Sequence, residues 1–296
     1  MKTLTRNETA QYLLSHDNYC ILSHRRPDGD TIGSSAALCL GLRSLGKKAH
    51  VLFNCEVSDR FAWLHAGLTK ETEEEGDTIV SVDVASPGML PKSFEHLLGK
   101  IHLRIDHHAS ATSFTDCELV DGGSASCAEL VWDVLAEAGV TMDKQIAEAV
   151  YVGTSTDTGC FRYSNTTDHT FATAAACAKA GARVYQLNQE LFETNTLGRL
   201  RMQAWIVDHM KMLRGGEMAI VAIPMAVEED WESPRMIWTI SPPSPEPWPV
   251  SAWQLPSGKP LTGIPRSPSV PCRAMMPRRL PSGLAAAAIR ARQEHP

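Results

Sequence analysis

At 296 residues, 43% of them apolar and 21% charged, the chain can bury a core of useful size along most of its length. Its formal net charge of −6 argues against a protein that coats long nucleic acid, because such proteins neutralise many phosphates with Lys and Arg. No uncharged apolar run reaches the roughly 18 residues of a membrane span, and the opening MKTLTRNETAQYLLSHDN carries no secretory pattern, so a cytoplasmic protein with no membrane attachment is expected.

Residues 19–23 (YCILS) form a short apolar run that reads as a buried strand. The polar turn HRRPDGD follows, and TIGSSAALCLGLRSLGKK then carries apolar residues at helical spacing up to the C-cap residue Gly46. AHVLF (49–53), DTIVSVDV (77–84) and IHLRI (101–105) read as further strands. Helical patterns cover 125–139, 143–153 and 168–181. This alternation specifies an α/β fold, a mostly parallel sheet with helices on both faces, over residues 1–190. Residues 191–217 read as a helical linker, and EMAIVAIP (217–224) as the first strand of a smaller, incomplete C-terminal domain over 218–296.

Composition shifts from about residue 232. Residues 232–296 hold 14 of the 18 prolines, no Asp, Asn, Phe or Tyr, and eight Lys or Arg against three Glu. Proline fixes φ and removes a donor, so SPPSPEPWPVSAW cannot make a regular helix or central strand. The segment reads as a basic tail, and a frameshift in the gene would account for it. The eight cysteines are scattered, without a CxxC pair, and read as reduced thiols rather than a disulfide framework.

Four segments place carboxylates and imidazoles after apolar runs: His24-x3-Asp28-x-Asp30 after 19–23, Asp83 closing DTIVSVDV, Asp106-His107-His108 after IHLRI, and Asp157 in YVGTSTDTGCFRYS. Ligands of an open parallel sheet bind at the carboxyl ends of its strands, which would gather all four at one edge. Asp and His donors without thiolate suit Mn²⁺, Mg²⁺ or another hard-to-borderline divalent ion. Five or six such donors exceed one tetrahedral site and point to two ions sharing a bridging carboxylate, an arrangement suited to phosphoryl transfer. An Asp before a helix is often only an N-cap, and Asp83 or Asp157, taken alone, reads as structural. Gly122, Gly123 and Ser124, ahead of the 125–139 helix, are candidates for holding a phosphate on backbone N–H groups or simply a turn. Arg162 is a candidate phosphate clamp.

The four motifs, in this order, resemble the DHH phosphoesterase superfamily over about residues 15–225. SHRRPDGDTIGSSAAL, IDHHAS, ELVDGGSASCAELVWDVL and GTSTDTGCFRYSNTT resemble its oligoribonuclease and 3′,5′-bisphosphate nucleotide phosphatase branch, termed NrnA-like. The resemblance implies one Mn²⁺ on His24, Asp28 and Asp83 and a second on Asp30, Asp83, His107 and Asp157. It also implies His108 facing the substrate phosphate and Asp106 orienting an imidazole. Short RNA oligonucleotides and phosphorylated nucleotides would be the substrates, and a homodimer the assembly. Linear or cyclic dinucleotides are the alternative substrates. The family's glycine-rich GGGH-type motif is missing, with SGLAAAA (282–288) the nearest stretch. A catalytically impaired metal- or nucleotide-binding protein is therefore the third reading.

Overall fold

The computed structural model describes residues 2–213, 218–221 and 223. The expected basic tail, SGLAAAA and most of the expected C-terminal domain lie outside the described residues. Met1–Met210 fall in one compact unit and Lys211–Ile220 in a second.

The first unit is built on seven parallel strands: β1 (Lys2–Thr3), β2 (Tyr19–Leu22), β3 (Ala49–Leu52), β4 (Thr69–Lys70), β5 (Thr78–Val82), β6 (Leu103–Asp106) and β7 (Cys117–Val120). Their order is β1-β7-β6-β5-β2-β3-β4. The chain winds outward from β2 through β3 to β4, then restarts at β5 and winds the other way. The switch point lies between β2 and β5, where Tyr19 to Leu22 pair with Thr78 to Ser81. A crevice at the carboxyl ends of these strands is the expected ligand position in such a sheet.

The period-2 alternation of strands sorts the layers. Tyr19, Ile21, Ala49, Val51, Val80, Val82, Leu103 and Ile105 face a large core shared with the α-helices. Those helices include α1 (Arg6–Ser15), α2 (Gly29–Ser44), α3 (Cys127–Glu137), α4 (Lys144–Asp157) and α5 (Asp168–Lys179). The alternate residues Cys20, Leu22, Leu52 and Ile79 face a smaller core closed by Leu90, Phe94, Leu97 and Ile101. Short 3₁₀ helices at Pro87–Met89 and Lys92–Leu97 cover that side. The sheet thus has helical cover on both faces, in unequal layers.

Helices α2 and α4 pack closely because small residues meet there. A Cβ on Gly33 would stand 2.3 Å from the Ala149 carbonyl oxygen. A Cβ on Gly153 would stand 2.5 Å from the Ala128 Cβ and 2.9 Å from Asp30 Oδ1. Gly153→Ala is therefore expected to cost about 1–3 kcal/mol by overpacking, read from urea melts, and to weaken divalent-metal binding by displacing Asp30.

Beyond α5 the chain forms α6 (Val184–Asn188), a π turn at Gln189–Glu193 and α7 (Leu197–His209). Within the segment expected to be a helical linker, helix thus ends at His209, and a strand, β8 (Lys211–Leu213), follows. It pairs antiparallel with β9 (Met218–Ile220). Six cysteines, at 20, 39, 117, 127, 160 and 177, are free thiols.

Candidate metal centre

The turn after β2 carries the first group. Asp28 caps α2 and accepts hydrogen bonds on Oδ1 from the N–H groups of Asp30 and Thr31 at 3.0 and 3.2 Å. It is an N-cap, as the simplest reading of an Asp before a helix requires, yet it also stands 3.7 Å from His24 Nε2. His24 is buried and its Nδ1 lies 2.7 Å from the Arg25 carbonyl oxygen. A carbonyl only accepts, so Nδ1 carries a proton and Nε2 faces the carboxylates, donating to them without a cation and free to ligate one. Asn54 fixes this turn by donating to the His24 carbonyl oxygen at 3.0 Å.

Asp83 follows β5 with φ +60°, a left-handed conformation that Asp tolerates better than most residues. Its Oδ2 lies 3.3 Å from His24 Nε2, and its Oδ1 lies 3.6 Å from His107 Nε2. That Oδ1 is buried without a hydrogen-bond partner. The same His107 nitrogen is 3.6 Å from Asp30 Oδ2 and 3.6 Å from Asp157 Oδ2. His107 Nδ1 faces the Ser124 carbonyl oxygen at 3.3 Å, which again leaves Nε2 as the donor atom. Three overlapping groups with metal-ligating geometry result, His24–Asp28–Asp83, Asp30–His107–Asp157 and Asp83–His107–His108, and Asp83 touches all of them. An orphaned carboxylate oxygen beside imidazole nitrogens is what a divalent cation would satisfy, so these residues fit such an ion.

Asp30 is held from behind. Its Oδ2 accepts from Cys127 N–H at 2.7 Å and its Oδ1 from Ala128 N–H at 2.9 Å, both in the first turn of α3. The partial positive charge of that helix end faces the carboxylate. Two of the amides proposed for phosphate, those of Gly123 and Ser124, are engaged within the turn. Gly123 N–H donates to Asp121 Oδ1, Ser124 N–H to the Asp121 carbonyl, Ala125 N–H to Glu129 and Glu129 N–H to Ser126 Oγ. Among the candidate phosphate-holding residues, Gly123 and Ser124 thus have their amides committed within the turn. Gly122 instead lets the loop approach Ala109, whose Cβ would lie 2.9 Å from an added Cβ.

Asp157 also departs from expectation. It does not follow a strand but ends α4, whose buried Ile146, Ala149, Val150 and Gly153 keep helical spacing up to the site. Arg162 is exposed, its Nε donates to the Gly159 carbonyl at 2.6 Å, and it makes no ion pair with the carboxylates among the described residues.

Asp106, at the end of β6, is fully buried and accepts from His108 Nδ1 at 2.8 Å. His108 is half-buried, with Nδ1 3.5 Å from Asp83 Oδ1. Behind Asp106 lies Arg104, which is 1% exposed. It donates to Glu118 Oε2 at 2.6 Å, to the Thr112 carbonyl at 2.9 Å and to the Ala85 carbonyl at 3.3 Å. Arg104 thereby ties together the segments after Asp83 and after His108. Sequence reasoning missed Arg104, Glu118 and Asn54, although an arginine inside IHLRI with a glutamate inside CELV is a visible sign of a buried pair.

Without a cation the centre resists ionisation. Burial, then the charge of Asp30, pushes the Asp83 carboxyl up to about 7 and the Asp157 carboxyl up to about 8. Burial of His24 disfavours its charge, but hydrogen bonds to Asp28 and Asp83 outweigh this and hold it up at about 10. The hydrogen bond to Asp106 holds His108 up at about 9. All four groups bind more protons folded than unfolded near neutrality, so metal-free stability falls as pH rises through these values. A cation displaces those protons, so its stabilisation grows with pH. Thermal melts at about pH 6 and pH 9 are expected to show a larger Mn²⁺-induced rise in Tm at the higher pH. A shift independent of pH would contradict this.

A family model described as the DHH family, N-terminal domain, matches residues 18–154. The chain is 30% identical over 218 residues to the bifunctional oligoribonuclease and PAP phosphatase NrnA of Thermus thermophilus, across 71% of this chain and 65% of that protein. It is 24% identical to the probable bifunctional oligoribonuclease and PAP phosphatase NrnA of Streptococcus mutans, across 70% and 66%. The chain thus spans just under two thirds of the length of these curated relatives. An exopolyphosphatase-related protein from Bacteroides fragilis shares the fold, with a TM-score of 0.63 at 20% identity over 78% of this chain and 72% of that one.

Proposed function

We propose that this chain, which belongs to the DHH family through residues 18–154, is a divalent-metal phosphoesterase acting on very short RNA oligonucleotides and on adenosine 3′,5′-bisphosphate. The observation that carries the reading is Asp83, whose two carboxylate oxygens face His24 at 3.3 Å and His107 at 3.6 Å. His24, Asp28 and Asp83 would hold one ion; Asp30, Asp83, His107 and Asp157 would hold the other. Oxygen and imidazole donors suit Mn²⁺, with Mg²⁺ the nearest substitute. Such ions supply positive charge for phosphoryl oxygens and acidify bound water.

The protein's own groups do the rest. Asp106 fixes the tautomer and orientation of His108, leaving Nε2 to meet a phosphate oxygen or protonate a leaving oxygen. His108→Gln is expected to lower kcat roughly 100-fold or more with unchanged Mn²⁺ content, measured by turnover assays beside metal analysis. Loss of bound metal in that variant would make His108 a ligand instead.

The names of the relatives support the substrate class, and the acidic net charge favours short substrates over long ones. The test is mononucleotide release from a labelled RNA dinucleotide and phosphate release from adenosine 3′,5′-bisphosphate, with a chromogenic phosphodiester alongside. Cleavage of all three supports the reading. Cleavage of the chromogenic substrate alone would leave a working centre and refute the proposed substrates. Cleavage of none, with metal bound, would refute the phosphoesterase assignment.

A further inference from the structure

On the thinly covered face of the sheet, three side chains of another chemistry converge. Cys20 on β2 and His50 on β3 are register partners. Asp77 immediately precedes β5, two residues before the inward-facing Ile79. One donor atom from each lies within 4.8 Å of the others. Cys20 is a fully buried free thiol, His50 is 3% exposed and the Asp77 side chain 4% exposed.

An ordinary core role does not account for the group. His50 Nε2 is buried without a hydrogen-bond partner. Its nearest carboxylate oxygen, Asp77 Oδ2, stands 3.7 Å away, beyond hydrogen-bond reach, and already accepts from Glu74 N–H at 2.7 Å. An orphaned buried imidazole nitrogen is costly, and a buried thiol beside it adds no strong donor or acceptor. Zinc–ligand lengths of about 2.0–2.3 Å in a tetrahedron separate nitrogen and oxygen donors by roughly 3.4 Å. The observed 3.7 Å needs only a small adjustment.

We infer that Cys20, His50 and Asp77 form a second metal site, for a thiophilic divalent ion of the Zn²⁺ class. Three protein ligands leave a fourth position for water or an added ligand. The exposed loop 71–76 ahead of Asp77 is the route of entry. The site would pin β2, β3 and the start of β5 at the amino ends of the strands. Cys20 lies four residues before His24, roughly 13 Å along an extended strand, so the site is separate from the carboxylate centre and does not rest on the function proposed for it. Ligand type would divide the metals, with thiolate and imidazole selecting the softer ion.

Co²⁺ is the probe, because thiolate ligation gives a thiolate-to-cobalt charge-transfer absorption that oxygen and imidazole ligands do not. Chelator-stripped full-length chain is titrated with Co²⁺, together with Cys20→Ser, His50→Gln and Asp83→Asn. The band is expected to saturate near one equivalent in the parent chain and in Asp83→Asn, to vanish in Cys20→Ser, and to need at least tenfold more Co²⁺ in His50→Gln. Circular dichroism checks folding of each variant. No band in the parent chain would overturn the inference, as would a full-strength band in Cys20→Ser, which would assign the thiolate to another cysteine such as Cys127. If Cys20→Ser does not fold, His50→Gln decides, because an unchanged titration there would equally overturn it.

Discussion

Asp83→Asn is expected to lower phosphodiester hydrolysis by roughly 1,000-fold or more, equivalent to about 4 kcal/mol of transition-state stabilisation, and to reduce bound Mn²⁺ from the proposed two ions per chain to one or none. The size of the effect follows from position. Among the described residues, Asp83 is the one whose carboxylate reaches both His24 and His107. Its Oδ1 has no hydrogen-bond partner to keep it in place. The amide keeps the volume and tolerates the left-handed φ of +60°, so the change removes charge and little else. The folded state should be no less stable without metal, because burial and the charge of Asp30 already oppose ionisation of Asp83 there. Metal analysis beside steady-state assays checks the variant, and full activity in Asp83→Asn would show that no shared carboxylate is needed.

Arg104→Ala should produce the second large effect, on stability. The guanidinium is buried against Glu118 and two backbone carbonyls and stacks on Phe114 at 4.9 Å. Removing one partner of a buried pair leaves the other uncompensated and costs about 3–5 kcal/mol. Urea melts are expected to show that loss. The double variant Arg104→Met with Glu118→Leu should recover part of it, because no charge is then stranded. Metal affinity should not recover with it, since the carbonyls of Ala85 and Thr112, beside Asp83 and His108, lose their common donor. A double variant that regained both would reduce Arg104 to a core residue with no positioning role.

The fold was legible where local pattern and burial agree. YCILS, AHVLF, DTIVSVDV and IHLRI are short apolar runs, and each became a strand within one or two residues of its expected ends. β1 and β4, two residues each, carry no periodicity to detect. The convergence of His24, Asp28, Asp30, Asp83, His107, His108 and Asp157 could be anticipated because three of the four segments follow the neighbouring parallel strands β2, β5 and β6. Asp157 was misplaced because the helical spacing of α4 runs three to four residues past where the pattern was read to stop. The glycine-serine turn before α3 was hard to read for a different reason. Gly123 and Ser124 donate to Asp121 within the turn itself, and the first amides of α3 go to Asp30, 97 residues away in sequence from Cys127. Arg104 was hidden by the apolar strand around it.

The most direct test of the account is Mn²⁺-dependent hydrolysis of a labelled RNA dinucleotide by the full chain, run beside Asp83→Asn at matched protein concentration. The account expects mononucleotide release that needs Mn²⁺ and falls by three orders of magnitude in the variant. Equal release by both proteins, or release that survives complete chelation of the metal, would contradict it.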